Sequence, residues 1–247
     1  MPNQTTPTRF PALFVLLAAV ATLALAALMS IEGARSHVLP LSELQALILR
    51  FELARSVSEV ASLLGTPDSA QGQKLRATLN LINTTDFAFA LAYPLLNVAM
   101  VGFVAVRRAR ALGVVAAALA LAMTAGDFLE NRALIALASA ATPDPEQVQR
   151  LQVATSVKWS ALYLCTGVLG AALLGGGALR RALALLAFGG AALGLFAVLW
   201  PASGGLDPRE LAGHGSSVLT VLWLSVLSLA IADLVAGRRI KEPGRAP

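Results

Sequence analysis

The stretch TTDFAFALAYPLLNVAMVGFVAVRRARALGVVAAALALAMTAGDFLEN, residues 84–131, decides the fold. It holds two apolar blocks, each near the roughly 20 residues that carry a helix across a ~30 Å hydrocarbon core. Only a few residues with Arg107, Arg108 and Arg110 separate them. A connection that short makes the second block return beside the first. Asp86 opens the first block, and Asp127 and Glu130 close the second. The pair therefore reads as a transmembrane hairpin, with a basic turn at one face of the bilayer and carboxylates toward the other.

Four further blocks of similar length flank this hairpin, giving six predicted spans at about 10–30, 84–106, 111–131, 157–178, 182–201 and 216–237. Hydrophobic residues make up 57% of the 247, charged ones only 13%, and the mean hydropathy is +0.71, which excludes an ordinary soluble domain and a disordered chain. The roughly ten-residue alternating segments of a membrane barrel are absent, so the prediction is an all-α polytopic membrane bundle forming one domain over residues 1–247. The first block, Phe10 to Ser30, also has features of a cleaved signal peptide, with Arg9 ahead of it and Ala24-Leu25-Ala26 within it. A signal core runs roughly 7 to 15 residues, and this block is nearer twenty, which favours a retained anchor.

Orientation follows from the basic clusters. Arg9, then Arg107, Arg108 and Arg110, then Arg180 and Arg181, then Arg238, Arg239, Lys241 and Arg245 all fall on one side of the alternating spans. By the positive-inside rule that side is cytoplasmic, which puts both termini inside and the chain in the cytoplasmic membrane. The same placement accounts for the net charge of +5 without nucleic acid. One cysteine, Cys165, excludes a disulfide framework, and with His37 and His214 outside the spans no metal or cofactor set is expected.

The largest outer segment, about 40–82, has helical periodicity. Leu41, Leu44, Ile48 and Phe51 form one apolar stripe with Glu43 and Arg50 opposite. Leu53, Val57, Val60 and Leu64 form a second, opposite Glu52, Arg55 and Glu59, and it falls on a different side of a straight helix. Either the helix breaks near residue 51 or it is buried on two sides. Residues Gly65 to Asp68 end it, and residues 70 to 82 are expected to form a short helix leading into the second span. Gly190 with Gly194, and Ala171 with Gly175, suit close packing of the fourth and fifth spans, joined by a turn at Arg180-Arg181.

Ionisable groups inside spans cost roughly 2.5 to 3.5 kcal/mol each on insertion scales and so demand an account. Asp86, Asp127, Glu130 and Lys158 share the outer end, while Asp233 lies at the other. Asn83, Asp86, Tyr93 and Asn97 keep to one helix face, with Pro94 able to free a backbone carbonyl. Thr124, Asp127, Glu130 and Asn131 share a face of the third span, and Thr155, Lys158, Leu162 and Cys165 line the fourth. On a structural reading Asp86 caps its helix, Glu130 and Asn131 lie in water beyond the third span, and Lys158 snorkels beside Trp159 or pairs with Asp127 or Glu130 in a network that fastens three helices. On a functional reading three carboxylates against one lysine leave negative charge that Arg132, a proton, a bound cation or a cationic ligand group must neutralise.

The candidate site is therefore Asp86, Tyr93, Asn97, Asp127, Glu130, Asn131 and Lys158, facing outward. It fits a noncatalytic protein that binds or helps move a small polar, cationic or lipid-like ligand. An accessory or assembly subunit, held by the same ions to a protein partner, is the second reading. A membrane-embedded enzyme acting on lipid is the third, because no Ser/His/Asp set, HExxH or GxGD motif is present. The expected partners are membrane lipids, such a ligand or another protein. Trp159, Trp200 and Trp223 read as belt or packing residues, Ser225 and Ser228 as bonded to their own helix, and Asp233 as pairing with Arg238 or Arg239.

Overall fold

The computed structural model describes residues 9–105, 110–199 and 208–239, with side chains other than those of 9, 208–214, 216 and 236–239. The described residues form eight α-helices and no strand: α1 (Arg9–Ser36), α2 (Leu41–Glu52), α3 (Val57–Leu64), α4 (Ala70–Val104), α5 (Arg110–Ser139), α6 (Pro145–Leu173), α7 (Ala178–Leu199) and α8 (Pro208–Arg239). All but α2 and α3 contain an apolar segment long enough to cross a bilayer. This is the architecture of a multi-pass membrane protein. Large apolar side chains such as Leu17, Leu95, Val114, Leu121 and Leu185 project outward, as a lipid-facing surface requires.

The long helices pack as a closed ring. Each of α1, α4, α5, α6, α7 and α8 lies beside the next, α8 returns to α1, and α4 also meets α6 across the ring. Small residues set the close approaches. A Cβ on Gly126 of α5 would stand 2.7 Å from the Lys158 backbone nitrogen and 3.1 Å from the Ala154 carbonyl oxygen, so only glycine lets α6 come this near. Gly170 of α6 meets Ala187 and Ala184 of α7 in the same way. The pair Ala171 and Gly175 does not make that contact, because α6 ends at Leu173 and Gly175 is exposed. The two glycines of GxxxG look in different directions, Gly190 toward Val218 of α8 and Gly194 onto the Tyr163 ring of α6. The α6–α7 connection is the short segment 174–177, and Arg180 and Arg181 already belong to α7.

Helices α4, α5 and α6 each run well past the roughly 20 residues that a span requires. With 35 residues, α4 is about 52 Å long, against a ~30 Å hydrocarbon core. The expected short helix at 70–82 is thus the first part of α4, because its polar face does not interrupt the α-helical backbone. Ser69 caps it by accepting from Gly72 N at 3.0 Å. Asp144 caps α6 through Glu146 N at 3.0 Å, with Pro145 in the first turn. Asp127 and Lys158 therefore lie well inside their helices and do not close or open them.

Against these extensions sit α2 and α3, which form a cap. The two stripes are reconciled by a break after Glu52, and α3 restarts at Ser56, whose hydroxyl accepts from Glu59 N at 3.1 Å. Leu44, Phe51, Val60 and Leu64 pack on Leu79, Leu134, Leu137 and Leu151 as a core of their own, separate from the cluster within the bundle. Arg76 pins this end together, donating through Nη1 to the Ala138 and Ala140 carbonyls at 3.1 and 2.8 Å. A guanidinium there satisfies carbonyls at the close of α5 and meets the negative end of its dipole.

Candidate functional site

Polar residues occupy the boundary between these two apolar clusters. Lys158 of α6 is the centre, with its side chain 10% exposed. Its Nζ lies 3.3 Å from Glu52 Oε2 of α2 and 3.3 Å from Asp127 Oδ1 of α5, and it pairs directly with Glu130 Oε2. Its ammonium donates a hydrogen bond to Glu52, and Asp127 and Glu130 pair with it by charge, so three carboxylates from two other helices surround one cation. Thr155, one turn earlier, donates to Glu130 Oε1 at 2.5 Å, and its hydroxyl also lies 3.1 Å from the Glu52 carbonyl oxygen. Gln152 Nε2 donates to the Arg55 carbonyl at 2.8 Å. Residues Gln152, Thr155 and Lys158, three apart on one face of α6, thus hold the C-terminal end of α2 to the bundle.

Asp86 stands in the middle of α4, seventeen residues in, and does not cap it. Its Oδ2 accepts from Asn131 Nδ2 of α5 at 2.7 Å. The Tyr93 hydroxyl, two turns on, interacts with the Asp127 carboxylate. Pro94 removes the amide that would bond the Ala90 carbonyl, and Thr124 Oγ1 of α5 supplies the missing donor at 3.1 Å. Asn97 lies deeper on this face. Its Nδ2 bonds the Tyr93 carbonyl at 2.9 Å and its Oδ1 accepts from Trp223 Nε1 at 3.3 Å, which makes it a link between α4 and α8.

A partly open cavity of about 410 Å³ lies beside this cluster, beneath α2 and walled by α1, α4, α6 and α8. Glu52, Asp86, Asp127, Tyr93, Lys158 and Asn83 give it one polar side. Met29, Leu44, Ile48, Phe89, Trp159 and Trp223 are among the residues of its apolar remainder. Of the seven predicted site residues, Asp86, Tyr93, Asp127 and Lys158 line it, while Glu130 and Asn131, expected in water on the structural reading, are fully buried within α5 and stand behind and hold them. Asn97 is apart.

Glu52 was expected on the solvent side of its segment, and the structure corrects this: its side chain is 17% exposed and turned to Lys158. The signal was the change of stripe at residue 51, which places Glu52 at a helix end. Trp159 and Trp223, read as belt and packing residues, both line the cavity, and Trp159 stacks on Tyr163 at 5.8 Å. Arg132 is exposed and makes no ion pair with the cluster, so it removes none of its charge. Ser225 and Ser228 bond Val221 and Leu224 of their own helix, both at 2.8 Å. Asp233 Oδ2 is buried with no hydrogen bond among the described residues, and the side chains of Arg238, Arg239 and His214, with all of Arg107, Arg108, Trp200, Lys241 and Arg245, lie outside them.

Four carboxylates, Glu52, Asp86, Asp127 and Glu130, thus face one lysine. Among the described residues no three acidic, histidine or cysteine side chains are placed to hold one metal ion. No protein-family model, curated protein or solved structure matches this chain.

Proposed function

We propose that the chain is a noncatalytic protein of the cytoplasmic membrane, with both termini inside, whose capped cavity opens outward and binds or helps move a small polar, cationic or lipid-like ligand. One observation carries this reading: an apolar cavity of about 410 Å³ has on its polar wall more carboxylates than its lysine can neutralise. Concave, largely apolar sites with a few converging polar groups are the usual form of small-ligand pockets, and ~300–1,000 Å³ is their usual size. Charge left over in low dielectric favours an occupant that offsets it.

A second reading rests on Lys158 itself. By pairing with α2 and α5 it fastens the cap to the bundle, which is what an accessory subunit presenting that cap to a protein partner requires. Thermal unfolding of the detergent-purified chain and of Asp127→Asn separates the two, run with a panel of inorganic cations, amines and lipid head groups. A ligand at a hundred times its dissociation constant stabilises by about 2.7 kcal/mol. That corresponds to several degrees for a chain of this size. The binding reading expects such a shift in the wild type and its loss in Asp127→Asn. If nothing on the panel shifts the wild type and the variant melts lower throughout, the accessory reading replaces it.

A further inference from the structure

Resting on the binding reading above, we infer that the cavity's ligand is an organic amine with an apolar body, its ammonium seated at Asp86 and an oxygen close to the nitrogen placed toward Asn83. Lys158 is already engaged by Glu52, Asp127 and Glu130. Asp86 lines the cavity, receives only the neutral amide of Asn131 on Oδ2, and among the described residues has no Lys or Arg within ion-pairing distance. Asp86 is therefore the one carboxylate of the four with no cation beside it, while the other three share the single charge of Lys158. Phe89 and Tyr93 follow it along α4, with ring centroids 5.1 Å apart, and Trp159 and Trp223 contribute to the walls. A carboxylate among aromatic faces is the chemistry that recognises an ammonium. Asn83, one turn before Asp86, also lines the cavity, is 5% exposed, and its Nδ2 donor has no partner. That donor calls for a hydroxyl or carbonyl oxygen on the ligand.

Other ligand classes fit less well. A metal ion would need a ligand set that the described residues do not place. A phosphate-bearing head group would bring its own negative charge against Glu52, Asp86 and Asp127. An amine-bearing lipid and a free amphipathic amine share the ammonium, and the phosphate tells them apart.

Binding is measured on the detergent-purified full chain by thermal shift with phenylpropylamine, phenylpropanol and phenylpropionate, which share a body and differ in charge. Phenylalaninol adds the oxygen, and phosphatidylethanolamine in the micelle tests the lipid source. Phenylpropylamine is expected to bind at least about tenfold more tightly than the alcohol or the acid, equivalent to ~1.4 kcal/mol. Phenylalaninol should bind more tightly still, and phosphatidylethanolamine should not compete. Asp86→Asn keeps the acceptor for Asn131 and should remove the preference for the amine. The selectivity of the wild type stands as a test whether or not the variant folds.

The inference is overturned if the alcohol or acid binds as well as the amine, if Asp86→Asn retains the preference, or if only phosphatidylethanolamine binds. In those cases the binding reading survives. If none of these compounds shifts the melting curve while another ligand of the broader panel does, the amine assignment alone falls. If nothing on either panel does, both fall together.

Discussion

Replacing Gly126 with alanine tests the closest helix contact beside the site. The added Cβ would lie 2.7 Å from Lys158 N, 3.0 Å from Lys158 Cα and 3.1 Å from Ala154 O. Comfortable separations are about 3.5–4.0 Å, so α5 and α6 must part by roughly 1 Å. All three opposing atoms are backbone, so no rotamer change relieves the overlap. Overpacking typically costs 1–3 kcal/mol, and a rigid neighbour puts this variant near ~3 kcal/mol. At about 2–4 °C per kcal/mol for a chain of this length, melting should fall by roughly 6–12 °C. Gly113 lies on the same helix with nothing within 4 Å of its added Cβ, and there alanine should be neutral or stabilising by up to about 1 kcal/mol. The assay is thermal unfolding of both variants in one detergent. A Gly126→Ala protein melting within 2 °C of wild type, or a Gly113→Ala protein falling as far, would refute the reasoning.

Three further substitutions probe separate parts of the structure. Lys158→Met should lower stability by about 3–5 kcal/mol by leaving buried carboxylates unpaired, and adding Glu130→Gln should recover part of that loss in a double-mutant cycle; additive losses would contradict the pairing. Thr124→Ala should cost about 1–3 kcal/mol by orphaning the Ala90 carbonyl, and Pro94→Ala in the same chain should reverse most of it by restoring an amide to that carbonyl. The Thr124 prediction fails if Pro94→Ala has the same effect with or without Thr124. Arg76→Met should destabilise by about 1.5–3 kcal/mol through the lost charged bonds to Ala138 and Ala140, and hydrogen exchange should rise first at the end of α5; uniform exchange would argue against a local fastening.

The spans were legible because their apolar blocks have the length of a bilayer, a property local to each segment. Their true ends were not, since hydropathy marks where lipid stops and not where a helix does. Residues 70–83 look polar and yet continue α4. Asp86, Tyr93, Asp127 and Lys158 could be grouped from helical spacing and alternating direction alone. Asn97 shares their face but lies farther down the helix, where Trp223 meets it, and nothing in α4 alone reveals that. Glu52 was hidden for a related reason. Its neighbour Phe51 packs in the cap core while Glu52 reaches α6, an arrangement fixed by the tertiary position of α2 and not by its own periodicity.

The ring closure between α8 and α1 sets an order in time. Leu219, Thr220 and Trp223 of α8 form a wall of the cavity, and α1 forms another. As the chain leaves the ribosome, α1 enters the membrane first and α8 last among the described helices, so the earlier helices can assemble only an open cleft. Until α8 arrives, Asn97 lacks the indole that bonds it. The cavity is thus complete only once α8 has been inserted, and any chain interrupted before α8 would carry the carboxylates and the lysine without that wall.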